Sequence, residues 1–179
     1  MADDPQSYAP RLAEDPRNEP LGTGGERETL TAFLDWHRRT LELKCAGLDP
    51  ERMSERAVPP SELSLHGLLR HLAGVERWWF RIQFAGEDVP LLHYSDDDPD
   101  LDFHGTAADP ADALAEWRRE VDASRRIVAG APLEDTGIRR RTGTPFSLRA
   151  VLVHMIAEYA RHNGHADLLR ERLDGSTGM

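Results

Sequence analysis

From Ser147 to Asp174 the apolar residues recur at helical spacing: Leu148, Leu152, Met155, Tyr159, Ala166, Leu169 and Leu173, with His162 in the same series, until Asp174-Gly175 ends it. A stripe this long dictates one long amphipathic helix, and such a helix must bury its apolar side against other elements. Three further segments offer matching faces. The first runs from Glu26 to Ala46, with Leu30, Phe33, Leu34, His37, Leu41 and Cys45 on one side, and stops at Gly47 and Asp49-Pro50. The second starts after Ser64, a good N-cap, and carries Leu65, Leu68, Leu69, Leu72, Val75, Trp79 and Gln83 before Gly86. The third opens with Asp109-Pro110, a cap followed by proline at the first helical position, and carries Leu114, Trp117, Val121 and Val128. No alternating run competes, although Gly137 to Thr144 has room for a short extended piece. The predicted class is all-α: a four-helix bundle with a long crossover loop between the second and third helices.

Residues 1–22 mix Pro, Asp, Arg and Gly without apolar periodicity and read as a flexible N-terminal arm, 23–175 as the bundle domain, and 176–179 as a tail. The crossover, Gly86 to Ala108, is too long for a tight turn and sets Leu91, Leu92, Tyr94 and Phe103 beside Asp96, Asp97, Asp98, Asp100 and Asp102. An EF-hand loop starting at Asp96 would need Gly and Glu where Leu101 and Ala107 stand, so the run reads as a solvated acidic loop whose role the sequence leaves open.

Lys and Arg total 22 against 32 Asp and Glu, a net charge of -10, which argues against a nucleic-acid partner bound through phosphate neutralisation. No apolar stretch approaches the ~20 residues needed to span a membrane, and the acidic opening Met1 to Pro5 is unlike a signal peptide. The single Cys45 has no intrachain partner, so a disulfide scaffold is excluded and a cytoplasmic, reducing location is expected. A chain of this length buries roughly 70% of its unfolded surface, so any metal serves chemistry rather than folding.

The fourth helix adds His154, Glu158 and His165 to His162, and residues four apart on a helix lie one above the other. At about 100° per residue, His162 falls about 20° from the centre of the apolar stripe, Glu158 about 60°, and His165 and His154 about 80° to 100°. His162 therefore points inward with Glu158 on its shoulder, while His154 and His165 belong at the rim. On the second helix His71 shares its side with Leu68, Val75 and Trp78 and reaches the interior too. Two imidazoles and a carboxylate, from His71, Glu158 and His162, suit a divalent ion such as Zn2+ with a coordination position left open, the pattern of catalytic rather than structural sites. Spacing alone equally permits polar residues satisfied by hydrogen bonds at a bundle edge. Glu76 lies among apolar neighbours on the second helix and needs a partner, for which Arg161 or a metal-bound histidine are candidates, so that Glu76 and Arg161 stand as residues supporting the site from behind.

The strings Arg70-His71-Leu72-Ala73-Gly74-Val75-Glu76-Arg77-Trp78-Trp79-Phe80 and His154 through Arg170, with Glu158-Tyr159-Ala160-Arg161-His162-Asn163-Gly164-His165 at its centre, resemble the two signature helices of the DinB-like superfamily, in the actinobacterial branch of mycothiol-dependent S-transferases. The likeness covers residues 25 to 175. It implies a four-helix bundle with a divalent metal, usually zinc or nickel, near one end. Many such proteins use three histidines, one from the second helix and a His-x-x-x-His pair from the fourth. Aligning His162-Asn163-Gly164 with the family's His-Arg-Gly puts Glu158 where the first histidine of that pair stands. In this departure the chain is similar to the mycothiol-dependent maleylpyruvate isomerases, whose set is histidine, glutamate, histidine.

The resemblance implies a transferase that conjugates mycothiol to an electrophile for detoxification, with the metal lowering the thiol pKa; which residues bind the thiol cosubstrate is left open, with Arg77, Arg81 and Arg161 near the mouth as unranked candidates. Cys45 reads as a small buried residue rather than a nucleophile. A thiol-dependent isomerase, a metal-hydroxide hydrolase and a non-catalytic metal-binding stress protein are the competing readings on the same bundle. The expected partners are a small electrophile and a thiol, with the chain a monomer or homodimer.

Overall fold

A computed structural model describes residues 17, 20, 22–105 and 108–177. Four long helices form the bundle: α1 (Glu26–Cys45), α3 (Leu65–Glu76), α5 (Pro110–Gly130) and α6 (Leu148–Asp174), with a short α2 (Pro50–Ser54) and α4 (Leu101–His104) in the connections. α1 packs along α6 and α3 along α5, around a core that includes Leu34, Leu41, Leu68, Leu72, Phe80, Trp117, Leu152, Met155 and Leu169. The caps lie where the sequence put them: Ser64 Oγ accepts from the Gly67 amide, Asp109 from Ala111, and Ser147 from Ala150. The extended piece is a hairpin in which β1 (Thr136–Ile138) pairs antiparallel with β2 (Pro145–Ser147).

Some expectations need correction. Phe33 is 41% exposed, because it lies about 100° round α1 from Leu34, and Arg38, one turn beyond Leu34, is buried instead. The second helix does not stay α to its end: Arg77–Phe84 widens into π-helical turns, closed by the Ala85 amide donating 2.9 Å to the Phe80 carbonyl. Of the predicted arm residues 17, 20 and 22 are described, and of the tail 176 and 177; the rest lie outside the described residues. Of that arm, Arg17 is buried, donates 2.9 Å to Thr40 Oγ1 and holds its guanidinium 4.8 Å over the Trp36 ring.

The crossover is laid against α3 by residues of both. Two glycines one heptad apart admit it: a Cβ at Gly67 would meet Phe103 at 3.0 Å, and one at Gly74 would meet the Leu92 carbonyl at 3.3 Å. Between them Arg70 donates 2.9 Å bonds to the carbonyls of Leu101 and Asp102, and Arg77 reaches the Pro90 carbonyl at 3.1 Å. These contacts bring an otherwise acidic loop to the side of His71.

Candidate metal centre

His71 on α3 and Glu158 and His162 on α6 converge. One ligand atom from each lies within 4.8 Å of the other two. The Glu158 carboxylate stands between the imidazoles, its Oε1 3.2 Å from His162 Nε2 and 3.5 Å from His71 Nε2. The rings themselves are 4.6 Å apart, centre to centre. His162 is buried, and His71 and Glu158 are half-buried. Glu158 is held well below the usual carboxylate range, first by its hydrogen bond with His162 and then by that with His71. Burial pushes the His71 imidazole down, but its hydrogen bonds with Asp102 and Glu158 outweigh this and raise it to about 9.

The far nitrogens are engaged as well. His71 Nδ1 lies 2.7 Å from Asp102 Oδ2, and the Phe103 ring stacks on the imidazole at 5.2 Å. His162 Nδ1 faces His165 Nδ1 at 3.3 Å. In the neutral imidazole that a cation would require, Nδ1–H donates to Asp102 and the Nε2 lone pair is turned to the shared centre, as in the carboxylate-histidine arrangement common behind metal ligands. The donor set of two imidazole nitrogens and one carboxylate thus fits a divalent cation with room for an exogenous ligand. Asp102 was not picked out by sequence reasoning, which saw it only as the last of the five aspartates between Asp96 and Asp102. Its distinguishing signal was its place beside Phe103, the apolar residue that docks on α3.

The remaining candidates lie elsewhere. Glu76 is fully buried, but its partner is Arg38 of α1, with Nε and Nη2 each 2.8 Å from the carboxylate, and Tyr159 donates 2.7 Å to the same group. Arg161 is solvent-exposed and cannot serve that carboxylate. Arg38 was legible in principle: it is four residues after Leu34 and three before Leu41, on the inward side. Arg77 and Arg81 both bind Glu120 of α5, and Arg81 also binds Glu87. His154 is exposed and packs on Trp79, ring centres 4.3 Å apart. Cys45 is buried, and burial pushes its thiol up to about 12, far from a nucleophile's range.

Comparison with known proteins agrees with this architecture. A conserved protein from Enterococcus faecalis superposes with a TM-score of 0.62 at 16% identity, covering 86% of this chain and 99% of its own, which establishes the shared fold. No curated protein matches in sequence. The family model described as Mycothiol-S-transferase matches residues 29–175, a span that takes in His71, Glu158 and His162. The chain belongs to the mycothiol S-transferase family.

Proposed function

We propose that this protein is a metal-dependent transferase that joins mycothiol, or a similar low-molecular-weight thiol, to an electrophile, and that it detoxifies such electrophiles in the cytoplasm. The observation that carries the reading is the convergence of His71, Glu158 and His162 within 4.8 Å in a chain of this family. Among the described residues no helix is long and apolar enough to cross a membrane.

His71 Nε2, the Glu158 carboxylate and His162 Nε2 are the proposed ligands. Zn2+ is the favoured ion and Ni2+ an alternative, since a nitrogen and carboxylate set accepts either. A bound divalent cation supplies the Lewis acidity that makes a coordinated thiol a thiolate near neutral pH. The protein's own part is positional. Asp102 holds Nδ1–H of His71 and so fixes the tautomer whose Nε2 is a donor. Glu158 offsets part of the cation's charge, and Phe103 shields one face of the His71 ring. Overall, the thiol proton passes to solvent, a carbon–sulfur bond forms as the bond from that carbon to the leaving group breaks, and the leaving group departs with the electron pair of the broken bond.

The test compares protein stripped by chelator with protein reloaded with Zn2+, following thiol consumption with a model alkyl halide. Turnover that needs both thiol and metal is the expected result. Consumption of the halide without thiol would point to a hydrolase. Thiol-dependent turnover indifferent to metal removal would contradict the site.

A further inference from the structure

His162 is engaged at both nitrogens of its ring. Nε2 lies 3.2 Å from the Glu158 carboxylate, and Nδ1 lies 3.3 Å from Nδ1 of the half-buried His165, one turn further along α6. Residues three apart on a helix are neighbours on its surface, and the two rings meet edge to face, with centres 5.2 Å apart and planes at 70°. Asn163 is occupied elsewhere: its Nδ2 donates 3.0 Å to the His37 carbonyl of α1. His165 does not belong to the converging donors, which are those of His71, Glu158 and His162. It meets His162 at the nitrogen that is not turned to Glu158.

A nitrogen of a neutral imidazole is either a donor or an acceptor, so two of them face each other favourably with one hydrogen between them. The chemistry of the centre decides which ring supplies it. For Nε2 of His162 to offer a lone pair to a divalent cation, the neutral ring must carry its hydrogen on Nδ1. The bond then runs from His162 Nδ1–H to the Nδ1 lone pair of His165, and His165 carries its own hydrogen on Nε2. Asp102 does the same for His71 on the other side of the centre, where Nδ1 lies 2.7 Å from Oδ2. The two supports differ in strength. A bond to an ionised carboxylate is roughly twice as strong as one between neutral groups, so His71 is held more firmly than His162.

We propose that His165 is a positioning residue, which accepts the Nδ1 hydrogen of His162 and so fixes the tautomer and ring orientation that turn Nε2 to the metal centre. The inference rests on the metal-centre reading above and adds to it a residue outside the ligand set.

The experiment uses the full chain, wild type beside two variants. His165→Phe keeps a ring and removes the acceptor, whereas His165→Asn places an amide oxygen where Nδ1 stands. Zn2+ affinity is measured by competition with a chromophoric chelator, and circular dichroism checks that each variant is folded. His165→Phe should weaken Zn2+ binding about tenfold, and His165→Asn should recover most of the loss. Proton NMR of the Co2+-substituted protein in water supplies a readout that a merely structural role would not move. Each imidazole ligand should give an exchangeable, hyperfine-shifted N–H resonance. That of His162 should vanish into solvent exchange in His165→Phe and return in His165→Asn, while that of His71 persists in both. Unchanged affinity in His165→Phe, equal losses in the two variants, or a His162 N–H resonance indifferent to both would overturn the proposal and leave the metal centre standing. Wild type that takes up neither Zn2+ nor Co2+ would overturn the metal-centre reading, and this proposal with it.

Discussion

Two polar clusters bridge α3 and α6, and neighbouring residues supply them: Tyr159 and Glu76 belong to one, Glu158 and His71 to the other. The first is closed. Trp117 donates 2.8 Å to the Tyr159 hydroxyl, which donates to Glu76, which accepts two bonds from Arg38, so charge and hydrogen bonding balance inside the core. The second is open. One Glu158 oxygen is shared by two imidazole nitrogens at 3.2 and 3.5 Å, so the ligand atoms converge on one point, two of the three residues are half-buried, and a cavity adjoins them. A one-residue step along α6, about 100° of rotation, thus separates a group that holds helices together from one free to bind. Burial of polar groups is common to both; what marks the open cluster as functional is the convergence of its donors.

The largest expected effect breaks the closed cluster. Glu76→Ala leaves the Arg38 guanidinium buried without its carboxylate, and denaturant unfolding should show a loss of about 3–5 kcal/mol. A loss under about 1 kcal/mol would mean that the pair is not the balanced unit described.

Histidines sharpen the same contrast on a single helix. His66 is fully buried, with Nδ1 3.0 Å from Ser54 Oγ and no partner for Nε2 among the described residues, and burial first, then nearby Arg70, lowers it to about 4. Its unfolded value is about 6.5, so below that pH the unfolded chain takes up a proton that the folded one refuses. Stability should therefore be unaffected by this group above pH ~6.5 and fall as pH drops toward ~4, by up to about 3 kcal/mol. His66→Gln should flatten that part of the pH–stability curve; an unchanged slope would place the acid sensitivity elsewhere.

At the open cluster the effects fall on binding rather than folding. His162→Ala should weaken metal retention by more than about 100-fold while circular dichroism keeps its helical signature. Unfolding of that variant would make the site structural. Asp102→Ala should cost about 10–100-fold in metal affinity, and Asp102→Asn should recover most of it, because an amide oxygen still accepts from His71 Nδ1–H. Equal loss in both variants would contradict the tautomer-setting role.

The four long helices were legible because their apolar residues keep one period over several turns and their caps are Ser64, Asp109 and Ser147. α2 and α4 were not, since helices of five and four residues are too short to display a period. Placing His71, Glu158 and His162 together needed only helical angles and the resemblance of two strings. Asp102 and the Arg38–Glu76 pairing lay beyond that reach: both depend on which elements meet, and no local pattern records that the crossover folds back on α3 or that α1 turns Arg38 toward Glu76.

The most direct test of the open cluster is cobalt substitution, with metal content and absorption measured on wild type beside Glu158→Ala, before and after adding mycothiol. One ion per chain, lost in the variant, with a spectrum that shifts as the thiol binds, is the predicted result. No stoichiometric ion at any loading, or a spectrum blind to the thiol, would contradict a thiol-binding metal centre at His71, Glu158 and His162.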